Sequence, residues 1–213
     1  MNLNELEISK TLRKRGPINW RNLFEKNGWK FIGMGREAAV GEHPTKPYVL
    51  RVFSRDTPYV DFVSLVKQHQ SNPHFPKFSR YVRPVPGTML NYVRMEKLET
   101  VSQNQLLELP YLNQMAYLHF KCEEMNLMFH RGFQDRVAVR LRDLSNGTLA
   151  REDVRSALWQ KIGRPDHSWT EAVDLVLNLH RSGTSWPSTL DMHAGNFMMR
   201  NDTLVITDPL VGI

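Results

Sequence analysis

One stretch near the end of the chain, LDMHAGNFMMRNDTLVITDP, most constrains what this sequence can fold into. Asp191 lies five residues before Asn196, and Asp208 follows twelve residues after Asn196. The apolar segment Leu204–Thr207 is typical of a short strand, and Asn201 with the residue after it favours a tight turn before that strand. This order predicts a loop that carries a carboxylate and an amide, with a hairpin that places a second carboxylate opposite them.

Those three side chains supply the parts that phosphoryl transfer requires. The reaction needs a carboxylate to accept a hydroxyl proton, oxygen ligands for a divalent metal, and a fixed geometry between them. Asp191 can be the base, while Asn196 and Asp208 can bind Mg²⁺ or Mn²⁺ beside the phosphates of ATP. The alternative is two polar loop residues and an ordinary hairpin, since the Asp-x-x-x-x-Asn spacing alone also occurs by chance.

A second segment, WKFIGMGREAAV at Trp29–Val40, adds to this hypothesis because it comes earlier in the chain in the expected order. Gly33 and Gly35 can form a hairpin loop whose backbone approaches phosphate groups without obstruction by side chains. Tyr48–Phe53 then reads as the next strand. Most Gly-x-Gly pairs are ordinary turns, so the order of the segments carries more weight than the glycines.

The segments Phe31–Pro44 and Asp191–Pro209 resemble the early serine/threonine protein kinases of T-odd podoviral bacteriophages, which are associated with host shutoff. The DxHxxN form of the loop is also similar to aminoglycoside and choline phosphotransferases. The resemblance implies an α+β, bilobal, protein-kinase-like fold, with an antiparallel sheet and a helix in the N-lobe and a mainly helical, minimal C-lobe. It also implies ATP with Mg²⁺ or Mn²⁺, host bacterial proteins as partners, and the host bacterial cytoplasm as the location.

The resemblance further implies which residues bind the nucleotide. Gly33, Gly35 and Val40 correspond to the loop and strand over the nucleotide. Arg51 takes the place of the strand lysine that grips the phosphates in protein kinases. Cofactor-binding positions also include Glu96 and Leu98, because the segment around them lies where the lobes are hinged and its main chain can bind adenine.

The catalytic positions implied are Asp191, Asn196 and His193, with Asn196 and Asp208 as the metal ligands. In the related phosphotransferases a histidine at the position of His193 braces the catalytic loop. Metal ligation, base chemistry and a solvent-facing side chain remain as alternatives for His193.

Three departures from the kinase pattern bear on activity. Arg51 replaces lysine, and a planar guanidinium cannot present the same point charge as an ammonium. No glutamate occurs between Val52 and Met95, so the usual lysine-to-glutamate pair lacks its acid. Asp61, on a helix predicted at Tyr59–Gln70, is the candidate substitute, with a surface carboxylate as the alternative. Few residues follow the second metal ligand, so we expect no activation segment.

We therefore predict an N-terminal arm and short helix over residues 1–28, an N-lobe over 29–98, and a truncated helical C-lobe over 99–213. Helical spacing in the C-lobe predicts one buried stripe, which comprises Leu112, Met115, Ala116, His119 and Cys122. Ser168 and Glu171 have the spacing of a capping box, which predicts a helix that ends at Gly183.

Composition excludes several classes. Hydrophobic residues make up 41% of the chain and charged residues 23%, which is enough apolar material for a sizeable core. The single cysteine, Cys122, excludes an internal disulfide and fits a reducing cytoplasm. We expect neither a signal peptide nor a membrane span, because no apolar run is long enough. The net charge of +6 suits ATP and acidic partners; nucleic acid is disfavoured because no zinc spacing or RNP sequence is present.

The favoured function is phosphorylation of serine or threonine on host proteins. One alternative is a catalytically impaired, kinase-like protein that binds and inhibits a host factor, which Arg51 and the missing glutamate favour. Another is a small-molecule phosphotransferase, which the DxHxxN form favours. A structural partner without a nucleotide site would leave the ordered motifs unexplained.

Overall fold

A computed structural model of the protein describes residues 19–35, 38–55, 57–79, 82–85, 88–145 and 149–212. Residues 1–18, which hold most of the predicted N-terminal arm, lie outside the described residues. The described chain has the predicted α+β class, with an antiparallel sheet and a helix followed by a mainly helical part. The boundaries at residues 28 and 98 stay a prediction.

A five-stranded antiparallel sheet, in the order β1-β2-β3-β5-β4, forms the first part of the fold. Val49 and Phe53 on the central strand face the main core, while Leu50 and Val52 face a smaller core on the other side. Successive side chains of a strand point to opposite faces, so Arg51 shares the face of Val49 and Phe53. The strands are β1 (Lys30–Met34), β2 (Ala38–Glu42), β3 (Tyr48–Ser54), β4 (Arg83–Pro84) and β5 (Leu90–Glu96).

Helix α1 (Trp20–Lys26) covers the smaller core and is fixed by a close contact with β2. A Cβ atom at Gly41 would lie 2.2 Å from Cδ1 of Phe24, so only glycine admits the buried Phe24 ring there. The helix ends before Asn27 and Gly28, and Gly28 has a φ of +74° that favours glycine.

Helix α2 (Tyr59–Gln68) packs against the other face of the sheet and contributes Tyr59, Phe62, Val63 and Val66 to the main core. It ends two residues earlier than the predicted Gln70. It also contacts the last long helix of the chain, so the sheet and the helical part share one continuous core.

The helical part begins after the short strand β6 (Glu99–Thr100). The helices of this part are α3 (Gln103–Leu106), α4 (Leu112–Glu124), α5 (Arg131–Ser145), α6 (Glu152–Ile162) and α7 (His167–Ser182). The predicted stripe on α4 is confirmed, because all five of its residues are buried. In the part of the chain that the structure describes, no helix combines the length and the apolar character of a membrane span.

The start of α7 differs from the prediction. Asp166, not Ser168, is the N-cap, and its side chain accepts a hydrogen bond of 2.8 Å from the Trp169 N–H. Glu171, the presumed partner in a capping box, instead accepts a hydrogen bond from the Asn72 side chain. Aspartate is as good an N-cap residue as serine, because its side-chain oxygen can accept a hydrogen bond from a backbone N–H of the first turn. The predicted stop at Gly183 is confirmed.

The last segment contributes to two small antiparallel sheets. One has the order β6-β8-β9, where β8 (Phe197–Arg200) and β9 (Thr203–Ile206) are joined by the predicted turn at Asn201, whose φ is +52°. The other pairs β7 (Ser188–Leu190) with β10 (Leu210–Gly212). The sequence patterns did not indicate this second pairing, which positions the site.

Candidate active site

The pairing of β7 with β10 brings Asp191 and Asp208 together. Leu190 is the register partner of Leu210. Asp191, which follows β7, therefore lies beside Asp208 and Pro209, which precede β10. The Asp191 N–H donates a 2.8 Å hydrogen bond to the carbonyl of Pro209. Two carboxylates seventeen positions apart are therefore held at one end of the same strand pair.

Asn196 ends a single turn of 3-10 helix, Ala194–Asn196, and is buried. Its side-chain nitrogen donates to the carbonyl oxygen of Asp191 and, at 3.3 Å, to the Asp191 carboxylate. Thr207 holds the same residue from the other side, since its N–H and hydroxyl both donate to the Asn196 carbonyl, at 2.9 and 3.0 Å. The amide oxygen of Asn196 accepts no hydrogen bond within the described part of the chain, which leaves it for another ligand.

His193 lies inside the loop and closes it. Its Nδ1 accepts a 3.0 Å hydrogen bond from the Gly195 N–H, and its Nε2 lies 3.7 Å from the nearer Asp191 carboxylate oxygen. The ring packs edge-on against His130, with centroids 5.4 Å apart. A Cβ at Gly195 would lie 2.7 Å from the His193 ring, so the loop depends on glycine at this point. These contacts are compatible with the bracing role of His193, which stays a prediction.

Arg51 reaches across from β3 and forms an ion pair with Asp208. Both side chains are largely covered, with 12% and 25% of their surface exposed. Burial raises the pKa of the Asp208 carboxyl above its usual value, Arg51 opposes the rise, and the nearby Asp191 adds to it. The Arg51 cation therefore favours the ionised form of the Asp208 carboxyl, whereas burial and Asp191 favour its neutral form.

Asp61 does not take the place of the missing glutamate, so that substitution is wrong. Its carboxylate accepts hydrogen bonds from the N–H and the hydroxyl of Ser185, at 2.7 and 2.9 Å. The residue of α2 that contacts Arg51 is Tyr59, whose ring centroid lies 3.9 Å from the guanidinium carbon. Asp61 lies two positions further along the helix than Tyr59, which turns it away from the cleft.

A cavity of about 480 Å³ connects these groups to the sheet. Such a volume is in the usual range for small-molecule sites. Its wall has apolar side chains from β1 to β3 together with Met95 and Leu98, and it includes the carboxylates of Asp191 and Asp208. Eight of the predicted site residues border this cavity together with Asp208: Gly33, Gly35, Val40, Arg51, Leu98, Asp191, His193 and Asn196.

Glu96 is the predicted site residue that the structure does not bring to the cavity with its side chain. Its carboxylate forms an ion pair with Arg200 and accepts a 2.7 Å hydrogen bond from the Lys77 N–H. Arg200 also donates to the carbonyls of Pro73 and Phe75, at 2.8 and 2.9 Å. The Glu96 side chain thus fixes the segment between the two parts of the fold, and its neighbours Met95, Lys97 and Leu98 lie on the cavity wall.

The residues present fit ATP and a divalent metal. The apolar wall suits an adenine ring, and the open space around Gly33 and Gly35, where a Cβ would meet nothing within 4 Å, leaves room for phosphates. Among the described residues, no group of three or more His, Cys, Asp or Glu side chains could hold a metal by itself. Asn196 and Asp208 would supply part of the coordination, and phosphate oxygens and water the rest.

A smaller cavity of about 220 Å³ lies on the other side of His193. Among the described residues its wall contains no carboxylate, and Arg131, exposed at the start of α5, follows one of its lining residues. It is lined by Gln103, His130, Phe133, His193 and Ala194. A hydroxyl group in this cavity would lie next to the loop that carries Asp191.

Comparisons with known proteins give a distant likeness. No protein-family model matches the chain, and no curated protein matches it. Two similar solved structures are the ternary complex of streptomycin, ATP and APH(2″)-IIa, and the aminoglycoside phosphotransferase APH(2″)-Ib with ADP bound. The first is 15% identical, with 100% of this chain and 73% of that chain covered and a TM-score of 0.33. The second is 16% identical, with 98% and 72% covered and a TM-score of 0.33.

At these values the likeness assigns no activity or substrate to this chain, and no phage kinase is among these two structures. The site residues that sequence reasoning missed are Tyr59, Arg200 and His130. The sequence carried a local signal for Tyr59, because this residue begins the predicted helix on which the acidic partner of Arg51 was expected. Arg200 and His130 had none, since their partners lie far away in the sequence.

Proposed function

We propose that this protein is an ATP-dependent phosphotransferase that passes the terminal phosphate of ATP to a hydroxyl group. The observation that carries the proposal is that Asp191, Asn196, Asp208 and Arg51 border one cavity, although Arg51 and Asp208 are 157 residues apart. Burial raises the pKa of the Asp208 carboxyl, so holding this group in a partly apolar cavity does not favour its ionised form. Carboxyls with a perturbed pKa beside a specific charge partner in a cleft are typical of functional sites.

ATP would lie with its adenine against Val40 and Leu98 and its phosphates beneath Gly33 and Gly35. Leu98 would offer backbone groups to the adenine, whereas the Glu96 N–H already donates to the carbonyl of Lys77. The metal would be held by Asp208 and by the amide oxygen of Asn196, and it would neutralise charge on the phosphates.

Asp191 would act as the base. It orients the acceptor hydroxyl and takes its proton, and its own position is held through its carbonyl and N–H by Asn196 and Pro209. His193 would keep the loop closed, as its contacts with Gly195 and Asp191 support.

The proposed acceptor is serine or threonine of a host protein in the host bacterial cytoplasm, as the resemblance to phage kinases implies. The smaller cavity beside His193 supports a protein hydroxyl over an aminoglycoside, because an aminoglycoside is polycationic. Such a molecule would meet His130 and His193, and no carboxylate among the described lining residues. Its volume of about 220 Å³ suits a single side chain.

Two other candidates each have an observation in their favour. The pairing of Arg51 with Asp208 occupies one proposed metal ligand, which favours an impaired protein that binds and inhibits a host factor. The DxHxxN loop favours a small-molecule phosphotransferase, the kind of protein in the two similar structures.

The test is transfer of label from radioactive ATP with Mg²⁺ or Mn²⁺, to bacterial lysate proteins in one arm and to an aminoglycoside or choline in the other. Asp191→Ala is the inactive variant, and Asp202→Asn, an exposed acid in the nearby turn, is the matched control. We expect label on lysate proteins with the wild type and Asp202→Asn, and none with Asp191→Ala. Label on the small molecules alone would show that the acceptor is a small molecule and not a protein. No label at all, from protein that folds and binds ATP, would favour the impaired alternative.

A second test concerns the metal. Calorimetry with a non-hydrolysable ATP analogue should show affinity that depends on Mg²⁺ in the wild type, whereas Asp208→Ala should lose that dependence because the carboxylate is removed. Equal Mg²⁺ dependence in Asp208→Ala would contradict the assignment of Asp208 as a metal ligand.

A further inference from the structure

The geometry around Arg51 points to a positioning residue that the kinase pattern does not contain, and this inference rests on the proposed function. We infer that the ring of Tyr59 takes the place of the missing glutamate and holds Arg51 toward the phosphate end of the cavity. The pair Arg51 and Tyr59 would then do by cation–π contact what a lysine and a glutamate do by charge.

The contact is close and well enclosed. The guanidinium carbon of Arg51 lies 3.9 Å from the Tyr59 ring centroid, within the range of a strong cation–π interaction. Tyr59 is 3% exposed, so this contact is shielded from water. Attraction between a cation and a ring is strongest when both are desolvated.

The Tyr59 ring cannot turn away, because other aromatic rings enclose it. Phe53 and Phe78 meet it edge-on, with centroids 5.0 and 6.4 Å away, and Phe62 lies at 5.8 Å. The ring therefore presents a fixed face to the cleft. Its hydroxyl is buried and has no hydrogen-bond partner within the described residues, so the ring is what acts on Arg51.

This geometry also explains why position 51 carries arginine. A guanidinium is planar, so it can stack on a ring and still direct an N–H group at a carboxylate, here that of Asp208. An ammonium would keep the charge but lose the stacked plane. The arginine at position 51 and the absence of a glutamate between Val52 and Met95 therefore have one explanation, which is the Tyr59 ring.

The first experiment measures the affinity for the Mg²⁺ complex of a non-hydrolysable ATP analogue by calorimetry. Tyr59→Phe keeps the ring and should bind within about twofold of the wild type, whereas Tyr59→Leu removes the ring and should bind about tenfold more weakly. In an Arg51→Met background, Tyr59→Leu should have no further effect. An equal loss in both backgrounds, or wild-type affinity in Tyr59→Leu, would overturn the inference. Tyr59→Met replaces Tyr59→Leu if the latter does not fold.

The second experiment does not depend on nucleotide binding. Urea unfolding of the wild type, Tyr59→Leu, Arg51→Met and the double variant should give a favourable coupling of about tenfold in the unfolding equilibrium constant. If the wild type does not bind the analogue, the proposed function fails, but this coupling still tests whether the ring holds Arg51. A coupling of zero would overturn the role of Tyr59 whatever the protein binds.

Discussion

Gly195 offers the most direct test of how the catalytic loop is built. A Cβ atom added there would lie 2.7 Å from Cε1 and 3.1 Å from Nδ1 of His193. The backbone of Gly195 is not in the left-handed region, so alanine is compatible with its conformation. Among the described residues, the obstacle to Gly195→Ala is therefore the His193 ring.

The expected change in the free energy of unfolding follows from the contacts that the His193 ring must lose. To make room, the ring must turn and lose the 3.0 Å hydrogen bond from the Gly195 N–H, which is worth about 0.5 to 1.5 kcal/mol. A displaced rotamer adds about 0.5 to 1.5 kcal/mol. We expect Gly195→Ala to lower the free energy of unfolding by about 1 to 3 kcal/mol.

Urea unfolding measures this in two backgrounds. In His193→Ala the obstructing ring is gone, so Gly195→Ala should then change the free energy of unfolding by less than about 0.5 kcal/mol. Gly33→Ala is the matched control, because its Cβ meets nothing within 4 Å, and it should not destabilise the protein. The same loss for Gly195→Ala in both backgrounds would refute the reasoning, since the penalty would not come from His193.

Three further outcomes test the fold around the site. Asp166→Ala should lower the free energy of unfolding by about 1 kcal/mol, and Ser168→Ala by less, because Asp166 caps α7. If urea unfolding shows the larger loss for Ser168→Ala, Ser168 and not Asp166 is the cap. Burial raises the pKa of the Cys122 thiol to about 12, so its thiolate forms only at strongly alkaline pH. At pH 8 iodoacetamide should label native protein about a thousandfold more slowly than urea-unfolded protein, and fast native labelling would contradict the buried position. Arg200→Met should lower the free energy of unfolding by about 2 to 3 kcal/mol. This is less than for a fully buried ion pair, because the side chains of Arg200 and Glu96 are about one-fifth exposed. An unchanged urea midpoint would show that this pair does not stabilise the fold.

Patterns that depend on near neighbours could be predicted from the sequence. The stripe on α4 was predicted by helical spacing, and Gly183 as a helix stop by its conformational freedom. The loop from Asp191 to Asn196 was predicted because five residues leave few ways to arrange a carboxylate and an amide. The roles of these residues in catalysis stay predictions until transfer is measured.

Contacts between distant segments were decided by the tertiary structure. Asp191 and Asp208 meet because β7 pairs with β10, and three-residue strands carry too short a pattern to indicate their partners. Asp61 was the wrong substitute for the glutamate, because the helix rotation that directs Tyr59 at Arg51 directs Asp61 at Ser185.

The chain by itself determined which chemical groups are available and in what order, since spacing along a loop or helix follows from local geometry. Only the tertiary structure decided that Arg51 contacts both Asp208 and Tyr59. The physical reason is that these contacts arise from burying the two faces of β3 against elements far away in the sequence, and the packing of both cores fixes where each side chain points.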